Sequence, residues 1–148
     1  MEGNYTKIGT IVAFIMLVIA VIQLFPKADK KVDGEWEMIS KVENADFKEY
    51  VGLEIKWKMF ITEQDNKVKG SAEKIEINYK PLDYRIRTSM NFDGTIKGNK
   101  MILNYTEAGK MRNTTGIIIV KLSNESFKGN FSQTASSTTG EILGKKIN

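Results

Sequence analysis

The sequence contains neither cysteine nor histidine, and it has only two prolines in 148 residues. Without cysteine the chain can form no disulfide and can carry out no thiol chemistry. Without histidine it lacks the commonest general base near neutral pH and the commonest metal ligand. Ser–His and Cys–His catalytic arrangements are therefore excluded. We expect a protein that is not an enzyme and that needs no cofactor and no metal.

Arginine is also scarce, since only Arg85, Arg87 and Arg112 occur among 22 basic residues. The net charge of +4 is too small for a protein that coats a nucleic acid polymer. Where lysine is the usual cation, a planar guanidinium suits bidentate contact with phosphate. Arg87 and Arg112 are therefore candidate ligand residues. Strand alternation would instead point Arg85 and Arg87 outward, as a solvated pair on the surface.

One long hydrophobic run, over residues 8–26, contains no charged residue and is bracketed by Lys7 and Lys27. As a helix it would span roughly 28 Å, close to the ~30 Å hydrocarbon core of a bilayer. A cleaved signal peptide would have a shorter apolar region and a small-residue cleavage site, which the exit sequence QLFPKADKK lacks. The pattern predicts an uncleaved single-pass anchor over residues 1–27, a linker over residues 28–33 and one domain over residues 34–148.

Charges around this run predict its orientation. Lys27, Lys30 and Lys31 follow it, whereas a single lysine precedes it, so the positive-inside rule places the C-terminal domain in the cytoplasm. Small residues in membrane helices allow close approach, and an amide can bond across such an interface. A candidate helix–helix face, and with it a homo-oligomer in contact with membrane lipids, is predicted from Gly9, Ala13, Ala20 and Gln23.

After residue 34 the sequence has the pattern of strands. Residues 53–62 alternate apolar and polar side chains over ten positions, as a half-buried strand does. Eight such segments in sequence order predict an all-β, up-and-down antiparallel, lipocalin-like barrel. The predicted strands are residues 35–42, 53–62, 67–79, 84–92, 95–106, 114–122, 126–134 and 140–147.

Glycine and turn residues add local predictions. A change of apolar parity within residues 67–79 predicts a bulge near Gly70. Asp93-Gly94 predicts a hairpin turn. An apolar-Lys-Gly-polar pattern recurs at Gly70, Gly98 and Gly129, and we expect it to mark bends or close backbone approach.

Several side chains that could bind a ligand fall on the predicted inner face of the barrel. A small eight-stranded barrel is either filled by side chains or holds one small ligand. Buried Tyr, Thr and Gln side chains need partners, so the alternative is that they satisfy one another or line the rim. The predicted inward residues are Trp57, Tyr84, Thr88, Tyr105 and Gln133.

In its predicted anchor and small barrel, the chain resembles one bacterial family. The resemblance extends to the opening Gly34-Glu35-Trp36 and to the run Asn91-Phe92-Asp93-Gly94-Thr95-Ile96-Lys97-Gly98-Asn99. This family comprises the membrane-anchored β-barrel effectors of cyclic-oligonucleotide anti-phage (CBASS) signalling. The resemblance implies that a cyclic dinucleotide, made by a partner nucleotidyltransferase, binds a cytoplasmic barrel at the bacterial inner membrane. Binding would then control self-association and membrane disruption.

Two other functions are compatible with the same architecture. The first is a membrane-tethered, lipocalin-like carrier or envelope protein that faces outward and binds a small apolar ligand. The second is a purely structural subunit of a larger membrane complex. The side of the membrane on which the C-terminal domain lies distinguishes the carrier from the effector.

Overall fold

The computed structural model describes residues 31–148, most of which lie in a closed ring of antiparallel strands. Eight strands form the ring, because the first strand pairs with both the second and the last, and the short fourth strand pairs only with the third. The predicted eight-stranded antiparallel barrel is thus confirmed. The strands are β1 Gly34–Asn44, β2 Glu54–Gln64, β3 Lys67–Ile77, β4 Lys80–Pro81, β5 Ser89–Lys97, β6 Lys100–Ala108, β7 Asn113–Leu122, β8 Ser126–Gln133 and β9 Thr139–Lys146.

Three short 3₁₀ turns connect strands, at Lys48–Tyr50, Tyr84–Ile86 and Ala135–Ser137. Within residues 31–148, no helix is long and apolar enough to cross a membrane. The predicted anchor, with its face of Gly9, Ala13, Ala20 and Gln23, lies outside the described residues.

The two ends of the barrel differ. At the closed end, tight hairpins join the strands at residues 65–66, 98–99 and 123–125. The indole Nε1 of Trp36 donates a hydrogen bond of 2.8 Å to the carbonyl oxygen of Val32, and both side chains are buried. At the opposite end, which we call the loop end, lie all the longer connections, residues 45–53, 78–88, 109–112 and 134–138.

The apolar core fills the half of the barrel next to the closed end. Its side chains come from alternate positions of the strands, so the same alternation that predicts the strands also predicts the core. The most completely buried large side chains are Trp36, Met38, Met59, Val68, Met101, Leu103, Ile118, Val120 and Ile142.

The predicted strand over residues 84–92 is wrong in its first half, because β5 begins only at Ser89. Asp83 starts a turn instead, since its Oδ1 accepts a hydrogen bond of 2.9 Å from the backbone nitrogen of Arg85. Tyr84 and Ile86 are consequently exposed at the loop end rather than buried inside the barrel.

The predicted hairpin at Asp93-Gly94 is also wrong, because both residues pair inside β5. Glycine is needed at position 94 for close approach, since an added Cβ would lie 1.9 Å from the carbonyl oxygen of Ile102. The chain turns instead at Gly98, which has a φ of +62°. The predicted strand over residues 95–106 is therefore divided between β5 and β6.

The bulge lies at Ile75 rather than near Gly70. Lys56 pairs with Glu76 and the next residue, Trp57, pairs with Lys74, which leaves Ile75 without a partner in the ladder. Gly70 pairs regularly, and its missing side chain makes room for the ring of Phe92. The recurring glycines therefore differ in role, because Gly70 and Gly129 allow close approach within strands whereas Gly98 forms a turn.

Candidate functional site

Polar and charged side chains line the half of the barrel interior next to the loop end. They surround a partly open cavity of about 60 Å³, which is room for about two water molecules. The cavity wall is completed by apolar side chains, among them Met90 and Ile142. We call this region the polar chamber and define it by the polar lining residues Ser40, Trp57, Lys74, Tyr105, Glu107 and Gln133, together with Thr88, which bonds to Glu107.

An ion pair crosses the polar chamber between β3 and β6. The Nζ of Lys74 donates a hydrogen bond of 2.5 Å to Oε1 of Glu107, and the two side chains are 17% and 13% exposed. The hydroxyl of Thr88 donates a bond of 2.8 Å to the same oxygen. One carboxylate oxygen therefore binds both a cation and a hydroxyl within the barrel.

The bulge at Ile75 explains why Lys74 and Glu76 point to opposite sides of the barrel wall. Lys74 and Glu76 would face the same side in a regular strand. With the bulge between them, Lys74 lies inside, whereas Glu76 lies on the outer wall, 3.9 Å from the Nζ of Lys56.

Trp57 provides the flat surface of the chamber. The Nζ of Lys74 lies 4.9 Å from the centroid of its ring, within the range of a cation–π interaction. The indole Nε1 donates a hydrogen bond of 3.2 Å to the hydroxyl of Ser40. The ammonium group thus occupies the ring face on which a planar ligand could otherwise stack.

Tyr105 and Gln133 close one side of the chamber. The hydroxyl of Tyr105 donates a hydrogen bond of 3.1 Å to Oε1 of Gln133. Burial, and to a smaller degree the charge of Glu107, raises the pKa of Tyr105 far above its usual value. The hydroxyl therefore remains a neutral hydrogen-bond donor.

The buried polar groups of the chamber all have hydrogen-bond partners without a ligand. Within residues 31–148, every buried side-chain nitrogen and oxygen has a hydrogen-bond partner. A polar ligand that enters must therefore exchange new contacts for existing ones, above all for those of Lys74 and Glu107.

Four of the predicted inward residues, Trp57, Thr88, Tyr105 and Gln133, come together in the chamber. The predicted inward orientation of Tyr84 is wrong, because its side chain is 72% exposed.

The predicted arginines lie outside the chamber. Arg87 is held at the surface, where its Nε donates to the carbonyl oxygen of Leu82 at 3.1 Å and its Nη1 lies 3.3 Å from Oε2 of Glu73. Arg112 is exposed in the loop between β6 and β7.

Sequence reasoning missed the ion pair itself. A signal for Glu107 was available, because it shares the face of Tyr105 at a spacing of two residues. Lys74 likewise follows buried Ala72 by two residues. The bulge that separates Lys74 from Glu76 has no clear mark in the sequence.

A second, open groove of about 640 Å³ lies on the outer wall over strands β5 to β8. Asp93 is the only charged side chain in its lining, so the groove does not favour an anionic ligand. Its outward side chains are mostly short and polar: Asn91, Asp93, Asn104, Thr106, Thr115, Ile117, Ser132 and Thr134.

Residues 31–148 contain no group of three or more acidic side chains placed to hold a metal ion. The chamber therefore offers hydrogen bonds, one cation, one carboxylate and an aromatic face, which together are suited to binding.

No protein-family model and no curated protein sequence matches this chain.

Proposed function

We propose that this chain is a membrane-anchored binding protein whose polar chamber receives a cyclic dinucleotide, and that binding controls self-association of the anchor. The observation that carries the proposal is the Lys74–Glu107 pair, which lies against Trp57 in the wall of the interior cavity. The effector activity in anti-phage defence and the cytoplasmic placement are supported by the resemblance and by the lysines after residue 26.

A buried ion pair adds little net stability to a barrel, because its desolvation offsets much of its attraction. Removing two charges from water is costly, and well-packed apolar residues in place of such a pair are often neutral or stabilising. A pair that faces a cavity can instead exchange partners with a ligand. Lys74 can bind a phosphate or a carbonyl oxygen, and Glu107 can accept hydrogen bonds from the N–H groups of a base.

Trp57 supplies the second element of recognition, because every nucleobase can stack on an aromatic ring. Ligand pockets usually have volumes of about 300–1,000 Å³, so the cavity of about 60 Å³ cannot hold a nucleotide as it stands. Binding therefore requires Lys74 to leave the face of Trp57 and the loop end to open. This rearrangement gives the bound and free barrels different shapes, through which a ligand can bias association.

The alternative of a carrier for an apolar ligand has less physical support. Such a ligand would need an apolar cavity, whereas this chamber contains a charged pair. Burying an apolar group beside the pair would leave both charges poorly solvated.

Calorimetric titration of the full chain in detergent micelles with cyclic dinucleotides, and in parallel with a fatty acid, tests the proposal. We expect a cyclic dinucleotide to bind and the double variant Lys74→Met/Glu107→Leu to lose that binding while it stays folded. The matched control is Lys58→Met/Glu35→Leu, which removes an ion pair of 2.8 Å from the outer wall. Binding of the fatty acid alone would favour the carrier, and unchanged nucleotide affinity in the first variant would place the site elsewhere.

A further inference from the structure

The loop end exposes an unusual number of large apolar side chains. They stand on three of its four connections, residues 45–53, 78–88 and 109–112, and are 40–99% exposed. Five others occur among the described residues: Ile147 lies at the closed end, and Phe60, Ile117, Ile119 and Leu143 lie on the strands. The exposed side chains of the loop end are Phe47, Tyr50, Val51, Tyr79, Tyr84, Ile86 and Met111.

Phe47, Tyr50 and Met111 do little for the fold. The 3₁₀ turn Lys48–Tyr50 buries none of its residues, and the rings of Phe47 and Tyr50 contact each other edge to face at 5.8 Å. Met111 is 99% exposed. Scattered single apolar residues on a surface need no explanation, but a concentration at one end indicates an interaction site.

Basic residues accompany the apolar ones. The four connections carry six cationic and three anionic side chains. Met111 stands between Lys110 and Arg112, and the guanidinium carbon of Arg85 lies 5.5 Å from the centroid of the Tyr84 ring. Apolar tips that enter the membrane interface, flanked by cations that remain among anionic headgroups, suit a bilayer surface.

The arrangement of the tips favours a lipid surface over a protein of fixed shape. The apolar side chains stand on separate loops, and none of them lines either of the two cavities described above. A fluid interface can receive each tip independently, whereas a protein partner would need a matching relief. We propose that the loop end of the barrel docks on an anionic lipid surface. This docking does not rest on the identity of the ligand in the polar chamber.

The absence of cysteine permits a site-specific test in the full chain. Met111→Cys carries the environment-sensitive dye NBD at the loop end. Asn124→Cys, in an exposed hairpin of the closed end, carries it as the matched control. Each protein is reconstituted into nanodiscs of phosphatidylcholine or of an equal mixture with phosphatidylglycerol. The phosphatidylcholine discs are also titrated with vesicles of that mixture, so that a second membrane can serve as the surface.

We expect a blue shift and a rise in NBD emission at position 111, but not at position 124, either in the anionic nanodiscs or on addition of the anionic vesicles. The double variant Lys110→Gln/Arg112→Gln should then reduce the NBD response, whether it is seen within the anionic discs or with added anionic vesicles. The loss of two cations should lower the affinity for the anionic lipid surface by a factor on the order of 30. An unchanged spectrum at position 111 in both settings, or an equal response at position 124, would overturn the proposal. Cross-linking from position 111 to a second copy, without any lipid response, would assign the loop end to self-association instead.

Discussion

The hydroxyl of Tyr105 reaches Oε1 of Gln133 at 3.1 Å by crossing over Gly116 on the strand between them. The three residues are paired in one row across β6, β7 and β8. A Cβ added at Gly116 would lie 2.4 Å from the ring of Tyr105 and 2.5 Å from the carbonyl oxygen of Ser132. The absence of a side chain at Gly116 thus allows the hydrogen bond that closes the chamber.

Gly116→Ala should therefore destabilise the barrel more than Tyr105→Phe does. The alanine must displace both a ring and a backbone oxygen, whereas the phenylalanine removes one hydrogen bond, which is worth about 1 kcal/mol. Chemical denaturation of both variants measures the difference in the free energy of unfolding. Gly52→Ala is a useful control, because it introduces strain at a φ of +87° in open space without any steric contact. Equal stability of Gly116→Ala and wild type would show that Tyr105 does not pack over this position.

Removing one member of the Lys74–Glu107 pair should be much worse than removing both. Lys74→Met leaves Glu107 charged and without its cation inside the barrel, which we expect to lower the free energy of unfolding by about 3–5 kcal/mol. Lys74→Met/Glu107→Leu should recover most of that loss, because no charge remains to be solvated. A double-mutant cycle by urea unfolding measures the coupling. Additive effects of the two substitutions would mean that the pair is solvated in solution.

Tyr105 should make the barrel sensitive to alkaline pH. Its pKa is raised above the value near 10 that it has in the unfolded chain, so the folded state favours the protonated hydroxyl. The resulting stability is fully present below about pH 10 and falls as the pH rises towards the pKa of the folded state.

The comparison with Tyr105→Phe isolates this effect, because both proteins share the titration of their lysines. The difference in Tm between wild type and variant should be constant below about pH 9 and should change in favour of the variant at higher pH. A difference that stays constant up to pH values above 10 would contradict the burial of the hydroxyl.

Strand alternation predicts the barrel and much of its interior, but it fails where backbone geometry changes locally. Trp57, Tyr105 and Gln133 lie in regular strands, and counting by two places them inside correctly. Asp93-Gly94 resembles a hairpin turn, yet the glycine serves the close approach of Ile102. The bulge at Ile75 and the capped turn at Asp83 depend on tertiary pairing and on local hydrogen bonds. They decide the positions of Glu76 and Tyr84, which alternation alone could not give.

Val32 should contribute to stability although it precedes the first strand. Its side chain is 2% exposed and its carbonyl oxygen accepts the hydrogen bond from Trp36, so it closes the end of the apolar core. Val32→Ala removes two buried carbon atoms and should lower the free energy of unfolding by about 1–2 kcal/mol. Val51→Ala makes the same chemical change at a side chain that is 48% exposed, and it should have a much smaller effect. Denaturant unfolding of the two variants checks the difference, and equal losses would mean that residue 32 does not close the core in solution.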